Sequence, residues 1–414
     1  MEVVLGVPFT YSPTDDLRKL LEDFRDMVNF CIEFAFKRRI SSYAKLRKGV
    51  YEDWKKKWDY STHFCHSACK ISLAMLKSYR RKRRKGKPEA KKLFMQLDLQ
   101  LYKFYGDRIR ISVKPRKFAY VELKYGEYQR KFIDAWKAGK LKTGEITINE
   151  TKVIVPFKKD VDLSNPSDWI AIDINESNIT TVSSNPHIIR LEPKIREIRS
   201  AYFEKRRKIQ KLAKHKPLTS QRLMAKYSKR EKNKVKDMCH KLAKSIVDFA
   251  KQHNFGIILE DLKNMRRRIK YSRRMNRRLH SLPFRKLQSY IEYKAHSASL
   301  PVIHVDAKYT SSLCPICGGR LASNGHRLLK CECGFEGDRD IIACLNMLKR
   351  NPRCGEPPLP PKATYEALAE VEDLVAKVNA RSERSPNSLL QSLKFSRSAA
   401  TTVEEVYTVI RIHK

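Results

Sequence analysis

Apolar and polar positions along this 414-residue chain change period several times, and each change marks a different kind of element. Residues 1 to 10, MEVVLGVPFT, alternate apolar and β-branched side chains and predict a strand, whereas residues 14 to 84 keep helical spacing with few breakers. From about residue 95 short alternating runs return: RIRISV (108–113), AYVELKY (119–125) and EITINETKVIVPF (145–157), the last with Asn149 and Glu150 at a hairpin turn. The pattern predicts a small β-barrel over residues 1–10 and 95–160, interrupted by a helical insertion over 11–94. Inside that insertion HFCHSAC puts His63, Cys65, His66 and Cys69 on an apolar helix, a setting that favours packed side chains over a metal site.

A second region opens near Asp168. WIAIDINESNITTVSS reads as a hydrophobic strand, a tight turn and a second strand. Residues 196 to 236 then carry sixteen Lys or Arg against three Glu in helical register, broken at Lys216-Pro217, so one face of these helices is electropositive. GIILED is a buried strand ending in acids, and residues 263 to 278 follow with nine basic residues and no acid, a charged flap. Phe284, Leu287, Ile291 and Ala295 line one side of the next helix. PVIHVDAKYTSSL supplies a further strand, then comes a cysteine cluster, then a helix from about Asp338 to Lys349. Elements of both kinds in a non-repeating order make the fold multidomain α+β.

Beyond Arg350 the character changes, with a Pro-rich linker, a short amphipathic helix over 365–378, a Ser- and Asn-rich stretch over 381–402 expected to be poorly ordered, and VEEVYTVIRI as a last strand. The charge also changes there. The whole chain carries 87 Lys and Arg against 45 Asp and Glu, a net of +42, but residues 351–414 hold nine basic and eight acidic side chains, leaving +41 on residues 1–350. Self-repulsion at that density destabilises a compact chain unless a polyanion neutralises it, so the expected partner is nucleic acid. No apolar run approaches a membrane span, and the clustering of cysteines at 314–333 suits metal chemistry in a reducing compartment. The expected setting is the prokaryotic cytoplasm, in association with the nucleoid.

Two constellations carry candidate chemistry. Asp173 in AIDIN, Glu260 in IILED and Asp340 in GDRDIIACLN each close a strand or open a helix beside small or β-branched residues. Carboxylates are costly to bury as charges unless cations meet them, so acids converging from separate elements point to divalent metal. Two hard cations about 4 Å apart would activate water on one side of a phosphodiester and stabilise the leaving oxygen on the other. There is no Gly-x-Ser-x-Gly elbow and no P-loop to support other hydrolytic chemistries. The second constellation is CPICGGRLASNGHRLLKCECG, in which Cys314 and Cys317 form a knuckle and Cys331 and Cys333 return after a hairpin with Asn324-Gly325 at its tip. Four thiolates complete a tetrahedral shell with no open position, the pattern of one structural zinc.

Asp173 on its strand, Leu259-Glu260-Asp261-Leu262, the Cys-x-x-Cys and Cys-x-Cys-Gly pairs, and Asp338-Arg339-Asp340 with Ala343 and Asn346 resemble, in order and spacing, the TnpB proteins of insertion sequences. The motifs span residues 165 to 350. This resemblance implies an RNase H-like (RuvC) nuclease domain over 161–349 with a zinc ribbon inserted at 308–337. It also implies a wedge domain (1–10 and 95–160), a recognition insertion (11–94) and a peripheral tail (350–414). It makes Asp173, Glu260 and Asp340 the ligands of two magnesium ions, or of manganese in their place. Asp340 is preferred over Asp338 because it keeps the family's spacing to Ala343 and Asn346. Ile342 and Asn175 depart from the family's usual Asn and Gly without removing a ligand. The implied activity is cleavage of double-stranded DNA under the direction of a bound guide RNA, with Arg206, Arg207, Lys208, Arg266, Arg267, Arg268, Arg273 and Arg274 on nucleic acid. A compact type V CRISPR effector and a catalytically inactive RNA-guided repressor share the fold, and the presence of all three acids speaks against the second.

Overall fold

The computed structural model describes residues 1–81, 86, 88–184, 188–262, 270–323 and 327–351, together with the backbone of 409–412. Arg266, Arg267 and Arg268 of the expected flap, the Asn324-Gly325 tip and the tail segments at 365–378 and 381–402 lie outside these residues. The chain divides into two compact units, Met1–Asp160 and Val161–Lys414. Among the described residues no helix is long and apolar enough to cross a membrane.

The first unit starts with strand β1 (Glu2–Thr10) and three helices, α1 (Asp15–Lys37), α2 (Tyr43–Lys57) and α3 (Thr62–Arg81). Thr14 caps α1 by accepting from the Leu17 N–H, and Asp15 and Asp16 in the first turn complement the helix dipole. Strands β2 (Phe94–Leu97), β3 (Tyr102–Phe104), β4 (Arg108–Lys114) and β5 (Lys117–Glu122) come next, then helix α4 (Glu127–Lys137), then β6 (Lys142–Thr143), β7 (Ile146–Asn149) and β8 (Lys152–Asp160). These strands form two antiparallel sheets, β1-β8-β7-β2 with β6 beside β8, and β3-β4-β5. Helix α4 has no counterpart in the expected barrel. The β7–β8 loop is Glu150-Thr151, and Asn149 sits at its base, where its Oδ1 accepts from the Thr151 and Lys152 N–H groups at 3.1 and 3.0 Å. Cys65 and Cys69 are buried in the helical core, with Cys69 Sγ 3.8 Å from that of Cys31, and His63 Nδ1 meets Asp98 at 2.9 Å.

The second unit contains β9 (Asp168–Ile174), β10 (Ile179–Ser183) and β11 (Ile188–Pro193), a helical hairpin of α5 (Ile195–Leu212) and α6 (Pro217–Gln252), and β12 (Phe255–Glu260). The hairpin breaks at Lys216-Pro217, where Pro217 takes the first helical position without sacrificing an intrahelical bond. Helices α7 (Arg273–Ser281) and α8 (Phe284–Ser297) lead to β13 (Val302–Val305). A three-stranded ribbon of β14 (Ala322–Ser323), β15 (Leu328–Lys330) and β16 (Glu336–Asp338) runs directly into α9 (Arg339–Lys349).

The central sheet has the order β13-β12-β9-β10-β11, extended by a strand β17 (Val409–Ile412) parallel to β11. Strands β12 and β13 run parallel to the central β9, while β10 and β11 return antiparallel. Ile170, Ile172, Ile257 and Leu259 face a core with α6 and α8; Trp169, Ala171, Val182 and Ile258 face the opposite core with Ile341, Cys344 and Met347 of α9. Gly256 pairs with Trp169 across the β9–β12 ladder, and a Cβ there would meet the indole at 2.4 Å, so only glycine lets the ring lie flat over the strand.

Candidate active site and metal centre

Side chains alternate across a sheet with a period of two, which settles where the candidate acids point. Asp173 shares its face of β9 with Trp169 and Ala171, and Glu260 shares its face of β12 with Ile258, so both carboxylates stand on the side that α9 covers. The strands pair in parallel up to Leu259–Ile172, so Asp173 and Glu260 are neighbours at the same end of the sheet. Asp340 enters from the first turn of α9. Three separate elements therefore bring the three acids to one end of one sheet face.

Each acid is held by polar groups. Asp173 and Asp340 are both buried, at 7% and 6% exposure. Asn175 donates to Asp173 Oδ2 at 2.6 Å, and Asn178 donates to Asp340 Oδ2 at 2.6 Å and to Thr180 Oγ1 at 3.2 Å. Thr180 lies directly opposite Asp173 in the β9–β10 ladder, so Asn178 links the two aspartates through one strand pair. Thr310 donates its hydroxyl to Glu260 Oε1 at 2.8 Å, and Asn346 of α9 fixes Thr310 by donating to its carbonyl at 2.7 Å and to that of Leu313 at 2.8 Å. Asp338 is occupied as the cap of α9, accepting from the Asp340 N–H at 2.8 Å.

Burial and the neighbouring charge of Glu260 push the Asp173 carboxyl up to about 7, against the pull of Asn175, Arg339 and Arg327. Burial raises Glu260 as well, opposed by the Thr310 hydroxyl and Arg350. A buried acid pair that resists ionisation is poised to gain most from a cation. Arg327 of the ribbon reaches into the site, with its guanidinium on Asp340 and its Nε 3.4 Å from Asp338 Oδ2. Nothing in the motif spacing singled out Arg327 or Asn178. A lone arginine in a Lys- and Arg-rich chain carries no signal, and Asn178 stands out only once the β9–β10 turn is known to bring it under α9.

The four ribbon thiols converge. All their Sγ atoms lie within 4.8 Å of one another, with Cys314–Cys333 at 3.7 Å and Cys317–Cys331 at 3.4 Å. A zinc tetrahedron with ~2.3 Å bonds has S–S edges of about 3.8 Å, close to these two pairs, so the four thiols are grouped as a metal ion would need them. Among the described residues it is the one cluster of three or more such ligands this tight. The knuckle turns through Gly318 at φ +73° and the return through Gly334 at φ +90°, left-handed conformations that favour glycine. The Gly319 N–H lies 3.4 Å from Cys317 Sγ, and this donation pulls the Cys317 thiol down to about 7.

The basic helices hold the other candidates. Arg206 and Arg199 of α5 both close on Glu231 of α6, which is buried at 4% exposure, so the Arg206 head is engaged within the protein. Arg207 is exposed, 3.7 Å from Glu204, and Lys208, Arg273 and Arg274 are also exposed.

Residues 284–347 match the model of the Cas12f1-like TNB domain, and residues 20–112 that of the uncharacterized protein MJ0013 family. A TnpB-like protein of Methanocaldococcus jannaschii is 44% identical over 263 residues, spanning 62% of this chain and 95% of the relative. A second TnpB-like protein of that organism is 27% identical over 369 residues, 84% of this chain and 86% of the relative. The CRISPR-associated endodeoxyribonuclease Cas12f1 of Sulfoacidibacillus thermotolerans is 36% identical over 112 residues, 26% of this chain and 25% of that protein. In fold, the chain is similar to Cas12f1 in a cryo-EM structure of its complex with single-guide RNA and target DNA, with a TM-score of 0.57 at 17% identity over 82% of this chain and 83% of that one.

Proposed function

The chain belongs to the TnpB family, and from that premise we propose that it is a transposon-encoded, RNA-guided DNA endonuclease whose hydrolytic site is Asp173, Glu260 and Asp340. The observation that carries the assignment is the meeting of these three acids, from β9, β12 and the first turn of α9, on one sheet face. A mixed sheet in the order β13-β12-β9-β10-β11 supports reading Val161–Lys349 as an RNase H-like domain, with the ribbon inserted before its last helix. By family resemblance, the sheets of the first unit would be the wedge and α1–α3 the recognition insertion.

Two magnesium ions, or manganese, would supply the Lewis acidity that activates water and stabilises the leaving oxygen. The protein's part is geometric. Thr310, fixed by Asn346, holds Glu260 in one orientation, and Asn178 does the same for Asp340. Arg327 keeps positive charge beside Asp340, where it would meet a phosphate oxygen. A single zinc on Cys314, Cys317, Cys331 and Cys333 would hold the ribbon that carries Arg327. Specificity passes to the pairing of guide RNA with the target strand, and the exposed cations of α5 to α7 would track phosphates.

The test is cleavage by protein purified with co-expressed RNA, given magnesium and a plasmid bearing the guide match. Wild type is expected to cut and Asp173→Ala to leave the plasmid intact while still binding it. Cutting by Asp173→Ala at the wild-type rate would show the site misassigned.

A further inference from the structure

On the α6 and α8 side of the central sheet, the face opposite the carboxylates, α5 and α7 line a cavity of about 230 Å3 dominated by arginine: Arg196, Arg199 and Arg206 from α5, and Arg274, Arg277 and Arg278 from α7. Internal acids neutralise only part of this charge, Glu204 of the lining among them, which lies 3.7 Å from Arg207. Glu231 takes Arg199 and Arg206, and Glu176 takes Arg278 and lies 3.7 Å from Arg196. Arg274 and Arg277 have no carboxylate partner among the described residues, and the Arg277 guanidinium lies 3.6 Å over the ring of Phe203. Arg199 Nε is buried without an acceptor. Burial lowers Arg199, and burial together with Arg199 lowers Arg206, so the cations strain against one another. Such a cluster is costly unless an anion completes it, and planar guanidinium forks match phosphate oxygens.

The size and place of the cavity narrow the anion. At about 230 Å3 it has room for a phosphate group with waters around it. A stacked base is disfavoured because Arg277 already covers Phe203. Glu176, which anchors one wall, is three residues beyond Asp173, so their Cα atoms are at most about 11 Å apart. A strand that leaves the carboxylates and turns round this end of the sheet would reach the cavity within a few nucleotides.

We propose that the arginine cavity between α5 and α7 seats a non-scissile phosphate of the DNA strand being cut, positioning the neighbouring phosphodiester over Asp173, Glu260 and Asp340. The inference rests on the endonuclease reading and adds a substrate subsite to it. Its role is positioning, so its loss slows cleavage of DNA that is already bound.

The test replaces each phosphate of the cut strand in turn with an uncharged methylphosphonate and times single-turnover cleavage by the wild-type ribonucleoprotein. Besides the scissile position, one position within a few nucleotides is expected to lose roughly ten- to a hundredfold. The double variant Arg274→Ala/Arg277→Ala, which breaks no ion pair with a carboxylate, should lose a similar factor on unmodified DNA and little more when that phosphate is neutralised. Its RNA content should match wild type, and its target binding should fall by much less than its cleavage rate. A scan with no sensitive position besides the scissile one, or losses that simply multiply, would overturn the proposal, as would a double variant that sheds its copurifying RNA. Wild type that cuts nothing, or Asp173→Ala that cuts normally, would defeat the parent reading instead, and both appear before any modified DNA is used.

Discussion

At the scale of single residues, the site stores an electrostatic debt that proton linkage exposes. The ordinary carboxyl value of 3.8 is raised to about 7 for Asp173 in the folded chain, so the native state binds this proton more tightly than the unfolded state does. Its contribution to stability is fully present below pH 3.8 and is lost as pH rises through about 7. Asp173→Asn, which stays neutral, should remove that dependence: without divalent metal, the melting temperature of the variant relative to wild type rises between pH 5 and 8. A difference that stays flat over this window would mean that Asp173 ionises freely. Arg327 makes a second residue-scale prediction. Its guanidinium spans Asp338 and Asp340, so Arg327→Ala should slow cleavage by roughly ten- to a hundredfold, and Arg327→Lys, which keeps charge but not the fork, should fall between. The three acids could be picked out as candidates because each stands at a strand or helix boundary within motifs whose order resembles the TnpB family, and the structure brings them to one end of one sheet face. Asn178, Thr310 and Arg327 could not, because their roles depend on contacts made across 162, 50 and 13 positions of chain.

At the scale of elements, the ribbon and α9 form one device. The ribbon's own core is small, Cys314, Leu329 and Phe335, and it is completed by Ile342 of α9. Ile342, where the resemblance expects a polar residue, is thus the apolar plug that joins the ribbon to the helix that carries Asp340. So small a cluster would depend on a bound zinc for folding. Cys331→Ser should reduce bound zinc, measured by elemental analysis of the purified protein, and slow cleavage because Arg327 loses its mount, while the main melting transition of the central sheet stays near wild type. Unchanged zinc content in this variant would show that Cys331 is not a ligand. The ribbon, the α5–α6 break at Pro217 and the β9–β10 hairpin were readable from local signals: knuckle spacing, a proline at a helix start, a tight turn between apolar runs. Helix α4 was not, because Glu127–Lys137 buries only Ile133 fully and lies between strand-like runs whose period dominates any window that includes it.

At the scale of the whole molecule, charge links fold to partner. A net +42 cannot be neutralised by the chain's own acids, and the buried Glu231 already holds two arginines. RNA-free protein is therefore held together against its own field. Raising salt from 0.1 to 1 M shortens the screening length from about 10 to about 3 Å. In RNA-free protein this relieves self-repulsion and should raise the melting temperature. In the RNA-bound particle the same salt screens the attraction that replaces the repulsion and favours release of the RNA through counterion exchange, so its melting temperature should fall toward that of the free protein. Melting curves of the two forms across a salt series are thus expected to slope in opposite directions and converge. Parallel slopes would mean that the excess charge is dispersed over solvated surface, and the case for a polyanion as the chain's structural partner would fail with it.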